Sequence, residues 1–464
     1  MKIRFLGAAQ TVTGSHHLLS VGDKRILIDF GLFQGRRTDT YEKNKKLLFE
    51  PSTIDAMLLT HAHIDHSGNI PNLSKNGFSA PIYATSATVA LCQIMLRDSA
   101  YLQEKDIEWL RKKKNHKNEI EPLYTIDDVL AILPNFVGVQ YSKPVNLFPN
   151  ITATFFDAGH ILGSAGILIE VKNKNATIRI GFTGDIGRKE MPILRDPVIL
   201  DDLDYLIIET TYANKIHSKP DEVEEELAKV INETYTRKGK IIIPAFAVGR
   251  TQMLVYMLHK LFDQNRIPVM PIYVDSPLAV AATNVFQAHP ECFDHETYEL
   301  FLNNFYDPFG FYRLKYIRSV DESKKLNEIK EPHIIISASG MAEGGRILHH
   351  LMNNVGNPNN MILFVGYAAE NTLARKIMDG NSPVKIFGNE FEVKAKIKTM
   401  DYFSAHADKN DLLEYVGFSS PKRLKKIFLV HGEESQAIPF QGELINRGYK
   451  NIFYPKTLDE FELD

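Results

Sequence analysis

Cysteine is nearly absent: 464 residues carry two, Cys92 and Cys292, 200 positions apart. A disulfide scaffold is thereby excluded, and a reducing cytoplasm is the expected setting. Tryptophan occurs once, at position 109. Long apolar runs are missing as well. None approaches the roughly 18–20 residues needed to span a bilayer, so no membrane partner is expected. The N-terminus, Met1–Lys2–Ile3–Arg4–Phe5–Leu6, enters a strand-like run and then Gly7; it lacks the apolar core and cleavage pattern of a secretory signal. Nor is there a strong charge of either sign. The net charge is −3, so a polyanionic partner must be met by a local basic cleft rather than a basic surface. Hydrophobic residues at 44% and charged residues at 24% are globular values, which excludes disorder, collagen and coiled coil as global descriptions. No internal repeat or low-complexity segment is present. At roughly 150 residues per domain, the length suggests about three domains or large modules.

What is present begins with short strands: Ile3–Leu6, His17–Val21 and Lys24–Phe30, split by Gly14 and the Gly22–Asp23 turn, then the apolar Ile54–Thr60. Residues 85–114 read as a helix whose apolar positions are Val89, Ile94, Leu96, Leu102, Ile107 and Leu110. The run from Arg111 to Lys117 ends it as a solvated basic loop, and Trp109 is expected to pack. Strands resume at Ile151–Phe156, Gly166–Lys172, Ala176–Phe182 and Leu203–Glu209. The pattern then alternates. Helix Pro220–Lys238, capped by Ser218, is followed by strand Lys240–Pro244, helix Arg250–Asn265, strand Pro271–Val274 and a helix after Pro277. Strand His333–Ser337, helix Gly344–Val355, strand Met361–Val365 and helix Ala368–Asp379 continue it. Such alternation implies βαβ units and a mostly parallel sheet. From about 384 the β-rich style returns with Glu390–Lys398 and Lys425–Val430. The expected organisation is one α/β domain, 212–382, inserted into another whose pieces are 1–211 and 383–464.

Apolar strand runs repeatedly stop at a polar residue. Arg25–Ile28 stops at Asp29, Met57–Leu59 at Thr60–His61, Leu206–Ile208 at Glu209 and Phe428–Val430 at His431. Ligands of α/β folds bind beyond the carboxyl ends of strands, so a common active edge explains the pattern. Ordinary strand ends explain any single case, but less easily these particular acids and histidines.

The strongest signal is Thr60–His61–Ala62–His63–Ile64–Asp65–His66–Ser67–Gly68, three imidazoles and a carboxylate within six residues. In a tight loop with side chains facing alternate ways, His61 and His63 can share one metal while Asp65 and His66 reach a second. Neutral imidazole and carboxylate suit Zn²⁺. Burying such groups unpaired costs several kcal/mol, which weighs against a metal-free packing role. Two metals need more ligands. Asp157–Ala158–Gly159–His160, Gly181–Phe182–Thr183–Gly184–Asp185 and Val430–His431–Gly432–Glu433 each follow a strand and set a ligand type near a glycine that permits close backbone approach.

Together these motifs resemble the metallo-β-lactamase fold and, within it, the β-CASP nucleases, the family that includes the endonuclease subunit of pre-mRNA cleavage factors and its bacterial and archaeal relatives. The resemblance covers essentially the whole chain. It rests on Asp29, on His61 to His66, on His160, Asp185 and Glu209, on His406 within Phe403–Ser404–Ala405–His406–Ala407–Asp408, and on His431. It implies an αββα sandwich carrying an inserted β-CASP α/β domain. It also implies two Zn²⁺ per chain. His61, His63, His160 and Asp185 would hold one zinc; Asp65, His66, Asp185 and His431 would hold the other, with Asp185 bridging. Asp29 would orient the ligands. DNA-processing members tend to have a hydrophobic residue at the position of His431, and RNA-processing members a histidine, so single-stranded RNA is the expected substrate. No appended RNA-binding segment is seen before Met1 or after about position 460, which makes archaeal relatives with N-terminal KH modules a poorer expected match. A homodimer is left open.

The expected reaction is hydrolysis of RNA phosphodiesters by metal-activated hydroxide, leaving 3′-hydroxyl and 5′-phosphate ends. Endonuclease action is favoured, with 5′-exonuclease action also open. His406 is expected to protonate the departing 3′ oxygen, with Glu209 orienting or charging it; the competing assignment for His406 is a helix cap or packing role before helix Asp408–Val416. The inserted domain should clamp the strand. Arg250 in Pro244–Ala245–Phe246–Ala247–Val248–Gly249–Arg250, Ser276 in Asp275–Ser276–Pro277, and Ser339 and Gly340 in Ser337–Ala338–Ser339–Gly340–Met341 are the candidate phosphate contacts. The pairs His16–His17 and His349–His350 are expected to pack or lie on the surface. Three rivals stand beside this reading: a small-molecule hydrolase of the glyoxalase or lactonase kind, which needs no domain-sized insertion; a non-catalytic binding subunit, which should have lost ligands; and a DNA nuclease, disfavoured by His431.

Overall fold

Strands Lys2–Phe5, His17–Val21 and Lys24–Ile28 pair antiparallel in turn, with Glu460–Glu462 on the outer edge of the first. Ala56–Leu58, Ile82–Thr85 and Phe136–Val139 extend the same sheet in parallel. The structure, a computed structural model, describes residues 1–35, 37–114, 121–173, 176–217, 220–303, 307–366 and 368–464. The expected cap Ser218 and positions 115–117 of the basic run lie outside the described residues. A second seven-stranded sheet runs, in spatial order, Ile452–Phe453, Lys426–Val430, Tyr205–Glu209, Thr177–Phe182, Ala165–Lys172, Ile151–Asp157 and Val145–Phe148. The two sheets meet over one core, with Phe5, Leu19, Ile26 and Leu58 from the first and Phe155, Ile167, Ile180, Ile207 and Phe428 from the second. Helices Lys409–Gly417 and Glu434–Asn446 cover the outer face of the second sheet. Helix Ser86–Lys114 lies against Ile82–Thr85 and Phe136–Val139 of the first. This is the αββα sandwich.

The chain divides into two compact units: 1–189, 195–216 and 405–464 form the first, 190–194 and 217–404 the second. The second unit is built on a six-stranded, wholly parallel sheet in the order Leu314–Tyr316, Ile272–Val274, Ile334–Ser337, Ile241–Pro244, Met361–Phe364, Lys396–Thr399. Its central strands are runs of isoleucine, buried on both faces as parallel strands between helices are.

The structure differs from the sequence reading in three places. The expected strand Glu390–Lys398 is two: Asn389–Phe391 forms a hairpin with Val384–Ile386, and Lys396–Thr399 pairs with Met361–Phe364. The second unit therefore reaches Ser404 rather than ending near 382, because a β-rich pattern does not say which sheet a strand joins. Trp109 does not pack inward; it is 57% exposed on the outer side of its helix. Strands Phe136–Val139 and Val145–Phe148 carry little alternation and went unread. Both cysteines are buried and neither is in a disulfide. Among the described residues, no helix is long and apolar enough to cross a membrane.

Candidate metal centre

All the ligand candidates lie in the first unit, on loops that leave the carboxyl ends of neighbouring strands. The loop after Lys24–Ile28 turns at Asp29, whose φ is +58°. It then runs beside the histidine loop so closely that a Cβ on Gly31 would sit 1.6 Å from the Asp65 carbonyl oxygen. Backbone amides of Phe30 and Leu32 donate to the carbonyls of His66 and Ile64 at 2.7 and 2.9 Å. The histidine loop is thus held by main chain, leaving its side chains free to converge.

They converge on two points. His63 Nδ1 lies 3.1 Å from both His61 Nε2 and His160 Nε2. Asp185 Oδ2 lies 3.5 Å from the same two Nε2 atoms. A tetrahedral zinc with Zn–N of roughly 2.0–2.1 Å separates its ligand atoms by about 3.3 Å, so these four atoms have the spacing of a coordination shell. The second group is Asp65, His66 and His431. Asp185 Oδ1 reaches it, 3.3 Å from His66 Nε2 and 3.6 Å from His431 Nδ1, while His431 Nε2 is 3.5 Å from Asp65 Oδ2. His66 Nε2, His431 Nε2 and Asp185 Oδ1 are buried and have no hydrogen-bond partner. Unpartnered buried polar atoms aimed at one another are costly unless a cation joins them. The donor set and the spacing therefore fit a divalent metal at each point.

Four of the remaining ring nitrogens, those of His61, His66, His160 and His431, are tied down. Asp29 Oδ2 is 2.7 Å from His66 Nδ1 and accepts the Thr60 hydroxyl at 2.8 Å. Thr60 Oγ1 in turn lies 3.1 Å from His61 Nδ1. With the Thr60 proton given to Asp29, His61 Nδ1–H donates to Thr60, and the His61 Nε2 lone pair faces the metal point. His160 Nδ1 meets the Ala405 carbonyl at 3.1 Å, and His431 Nδ1 meets Thr211 Oγ1 at 3.0 Å. Burial, joined by neighbouring imidazoles, drives His61 and His160 well below the ordinary histidine range and His63 to about 4. Burial opposes ionisation of the acids, yet the surrounding histidines hold Asp65 at about 2 and Asp185 well below its usual value. His66 is the exception: Asp185 and Asp29 outweigh burial and hold it well above its usual range. Neutral imidazoles beside ionised carboxylates are the forms that bind metal.

His406 stands beside this centre. Its Nδ1 lies 3.1 and 3.2 Å from the two Glu209 oxygens and 3.9 Å from Asp185 Oδ2. Burial works against its charge, but Glu209 and Asp185 hold it up at about 9. Glu209 is itself fixed by the Ile186 amide at 2.6 Å. The competing assignment of His406 as a helix cap is not what the structure shows, since Asp408 caps Lys409–Gly417 in a capping box with Asp411.

The four candidate phosphate contacts lie in the second unit. Arg250 opens helix Arg250–Asp263, with its guanidinium carbon 5.9 Å from the Phe403 ring centroid. Ser339 and Gly340 follow strand Ile334–Ser337. Ser276 is buried and spends its Oγ capping helix Pro277–Ala288 through the Ala279 amide. Sequence reasoning missed Thr60, Thr211 and the Ala405 carbonyl. A hydroxyl next to a ligand motif is a usable signal for the threonines; a backbone carbonyl leaves none.

Comparison with known proteins places the chain in a family. Three family models match: a metallo-beta-lactamase superfamily domain over residues 18–180, a Beta-Casp domain over 251–377, and a Zn-dependent metallo-hydrolase RNA specificity domain over 390–455. Ribonuclease TTHA0252 of Thermus thermophilus is 33% identical over 448 residues, 97% of this chain and 97% of that protein. An RNase J-like protein of Methanocaldococcus jannaschii is 32% identical over 94% of both chains. Transcription termination factor FttA of the same organism is 31% identical over 99% of this chain and 71% of its own length. A crystal structure of an Enterococcus faecalis protein of unknown function shares the fold, with a TM-score of 0.56 at 14% identity and 100% of this chain covered.

Proposed function

Because the chain belongs to the β-CASP ribonucleases of the metallo-β-lactamase superfamily, metal-dependent hydrolases acting on RNA, we propose that it cleaves single-stranded RNA internally with two zinc ions, leaving 3′-hydroxyl and 5′-phosphate ends. The observation that carries this reading is the pair of ligand sets sharing Asp185, with three buried atoms that meet no other partner. His61, His63, His160 and Asp185 Oδ2 would hold one zinc; Asp65, His66, His431 and Asp185 Oδ1 would hold the second. When bound, two zinc ions supply a water acidic enough to attack near neutral pH and positive charge for the phosphoryl oxygens. Everything else falls to the chain. Asp29 and Thr60 hold the ligand rings so that their lone pairs point inward. Glu209 keeps His406 protonated, and His406 gives its proton to the 3′ oxygen as the P–O3′ bond breaks. Arg250, Ser339 and Gly340 would receive the strand's phosphates. Two buried cysteines outside any disulfide suit a cytoplasmic setting.

Circular and linear RNA cut side by side, with and without a chelator, test this reading. Chelator-sensitive cleavage of the circle, with products that accept ligation at a 5′-phosphate, is the expected result. Cleavage of the linear RNA alone would replace internal cutting with 5′-exonuclease action.

A further inference from the structure

The second unit carries an exposed aromatic ring in a place where the topology opens the sheet. Strand Ile241–Pro244 lies next to Ile334–Ser337. The chain leaving the first of these runs to Ile272–Val274 on one side of the pair, and the chain leaving the second runs to Met361–Phe364 on the other. Right-handed crossovers running opposite ways put the following helices on opposite faces. Ile347 and Leu351 pack with Ile242, Ile335 and Ile362, which fixes the face taken by helix Ile347–Asn354. Where neighbouring strands send their chains to opposite faces, a crevice opens beyond their carboxyl ends, and ligands of such sheets bind there.

Phe246 stands in that crevice. It follows strand Ile241–Pro244 by two residues and is 46% exposed. Its own backbone is anchored, since its carbonyl accepts from both the amide and the hydroxyl of Thr251, at 3.2 and 2.8 Å. The ring is backed by Gly340 from the neighbouring strand's loop: a Cβ there would lie 3.3 Å from two ring carbons. Among the described residues of this unit, the other exposed aromatics sit elsewhere. Tyr235 and Tyr298 are on helices, Tyr312 precedes a strand, and Phe387 is in a hairpin turn. A half-exposed ring on an anchored backbone, at the ligand-binding edge of a sheet in an RNA hydrolase, has the form of a base-stacking platform.

We infer that Phe246 stacks a nucleobase of the RNA substrate, with Gly340 kept small to let the ring lie against the loop. The inference rests on the ribonuclease reading and adds a base-holding subsite to it. Stacking is tolerant of sequence because every base has a π-face, so the platform would hold the strand without selecting a base.

Single abasic substitutions scanned along a short 5′-labelled RNA test it, with wild type, Phe246→Ala, Phe246→Leu, Phe246→Tyr and Phe246→Trp compared by kcat/KM. Wild type should lose about tenfold when one particular base is missing. Phe246→Ala should lose about the same on intact RNA and nothing further on that abasic strand, while the Tyr and Trp variants keep the wild-type profile. Phe246→Leu keeps bulk without a π-face and should follow Ala, which keeps the test open where Ala fails to fold. An abasic profile in Phe246→Leu or Phe246→Ala identical to wild type overturns the platform alone. A wild-type protein that cuts no RNA overturns the ribonuclease reading beneath it.

Discussion

Each unit of the molecule buries a cluster of acids and histidines. In the second, Asp275 is wholly buried, and its Oδ1 accepts from Arg346 at 2.6 Å. Its Oδ2 accepts from His350 Nε2 at 2.6 Å and from the Ser323 hydroxyl at 2.5 Å. His350 Nδ1 lies 3.1 Å from Asn327 Oδ1. Donors there meet acceptors. In the first unit, ring nitrogens face ring nitrogens across 3.1 Å, and His66 Nε2, His431 Nε2 and Asp185 Oδ1 meet no hydrogen-bond partner. Both clusters join a buried carboxylate to buried imidazole, but the second adds the proton donors Arg346 and Ser323. Among the described residues, the groups able to hold a metal all belong to the first unit. What separates the candidate metal centre from the structural ion-pair network is whether each buried acceptor meets a donor, as Asp275 does and Asp185 Oδ1 does not.

The contrast breaks if Asp185 proves dispensable. Asp185→Ala removes the one carboxylate shared by both ligand sets, and RNA cleavage should fall by more than about 10³-fold, with bound metal lost; single-turnover kinetics and metal analysis read the two effects. His406→Ala should keep the metal and lose about 10²–10⁴-fold in kcat. His406 is held at about 9, so its acid form is present below that pH and lost as pH rises through it. Wild-type cleavage should accordingly decline on the alkaline side near pH 9, and the residual activity of His406→Ala should lack that limb.

Asp275→Ala sharpens the comparison from the other side. It strands Arg346 and His350 in the interior and should cost about 3–5 kcal/mol in denaturant unfolding, while metal content stays at the wild-type level. A loss of metal in this variant would erase the distinction between the clusters. The smallest effect is expected at Asp29. Asn at this position presents an amide N–H₂ or a single acceptor where His66 Nδ1 and Thr60 now find a carboxylate. Metal affinity in a chelator competition should weaken about 10–100-fold with little change in fold stability.

The candidate metal ligands were legible in the sequence because four of them crowd into His61–His66 and the rest stand where apolar strands stop, as Asp185 does after Thr177–Phe182 and His431 after Lys426–Val430. The supports around them were not. The Ala405 carbonyl belongs to the backbone and carries no residue signature, and Thr211 is one threonine among many until the fold brings it to His431. The inserted domain's limit was misplaced because Lys396–Thr399 has a strand's pattern but not its partner's address, which only pairing with Met361–Phe364 supplies. Local pattern tells what a segment is; long-range pairing tells where it goes.

Anomalous diffraction at the zinc edge, from crystals grown with the metal in excess, addresses the shared carboxylate most directly. Two peaks roughly 3.5–4 Å apart are expected, one among His61, His63, His160 and Asp185, the other among Asp65, His66, His431 and Asp185. A single peak, or none, would contradict a cation pair joined through Asp185.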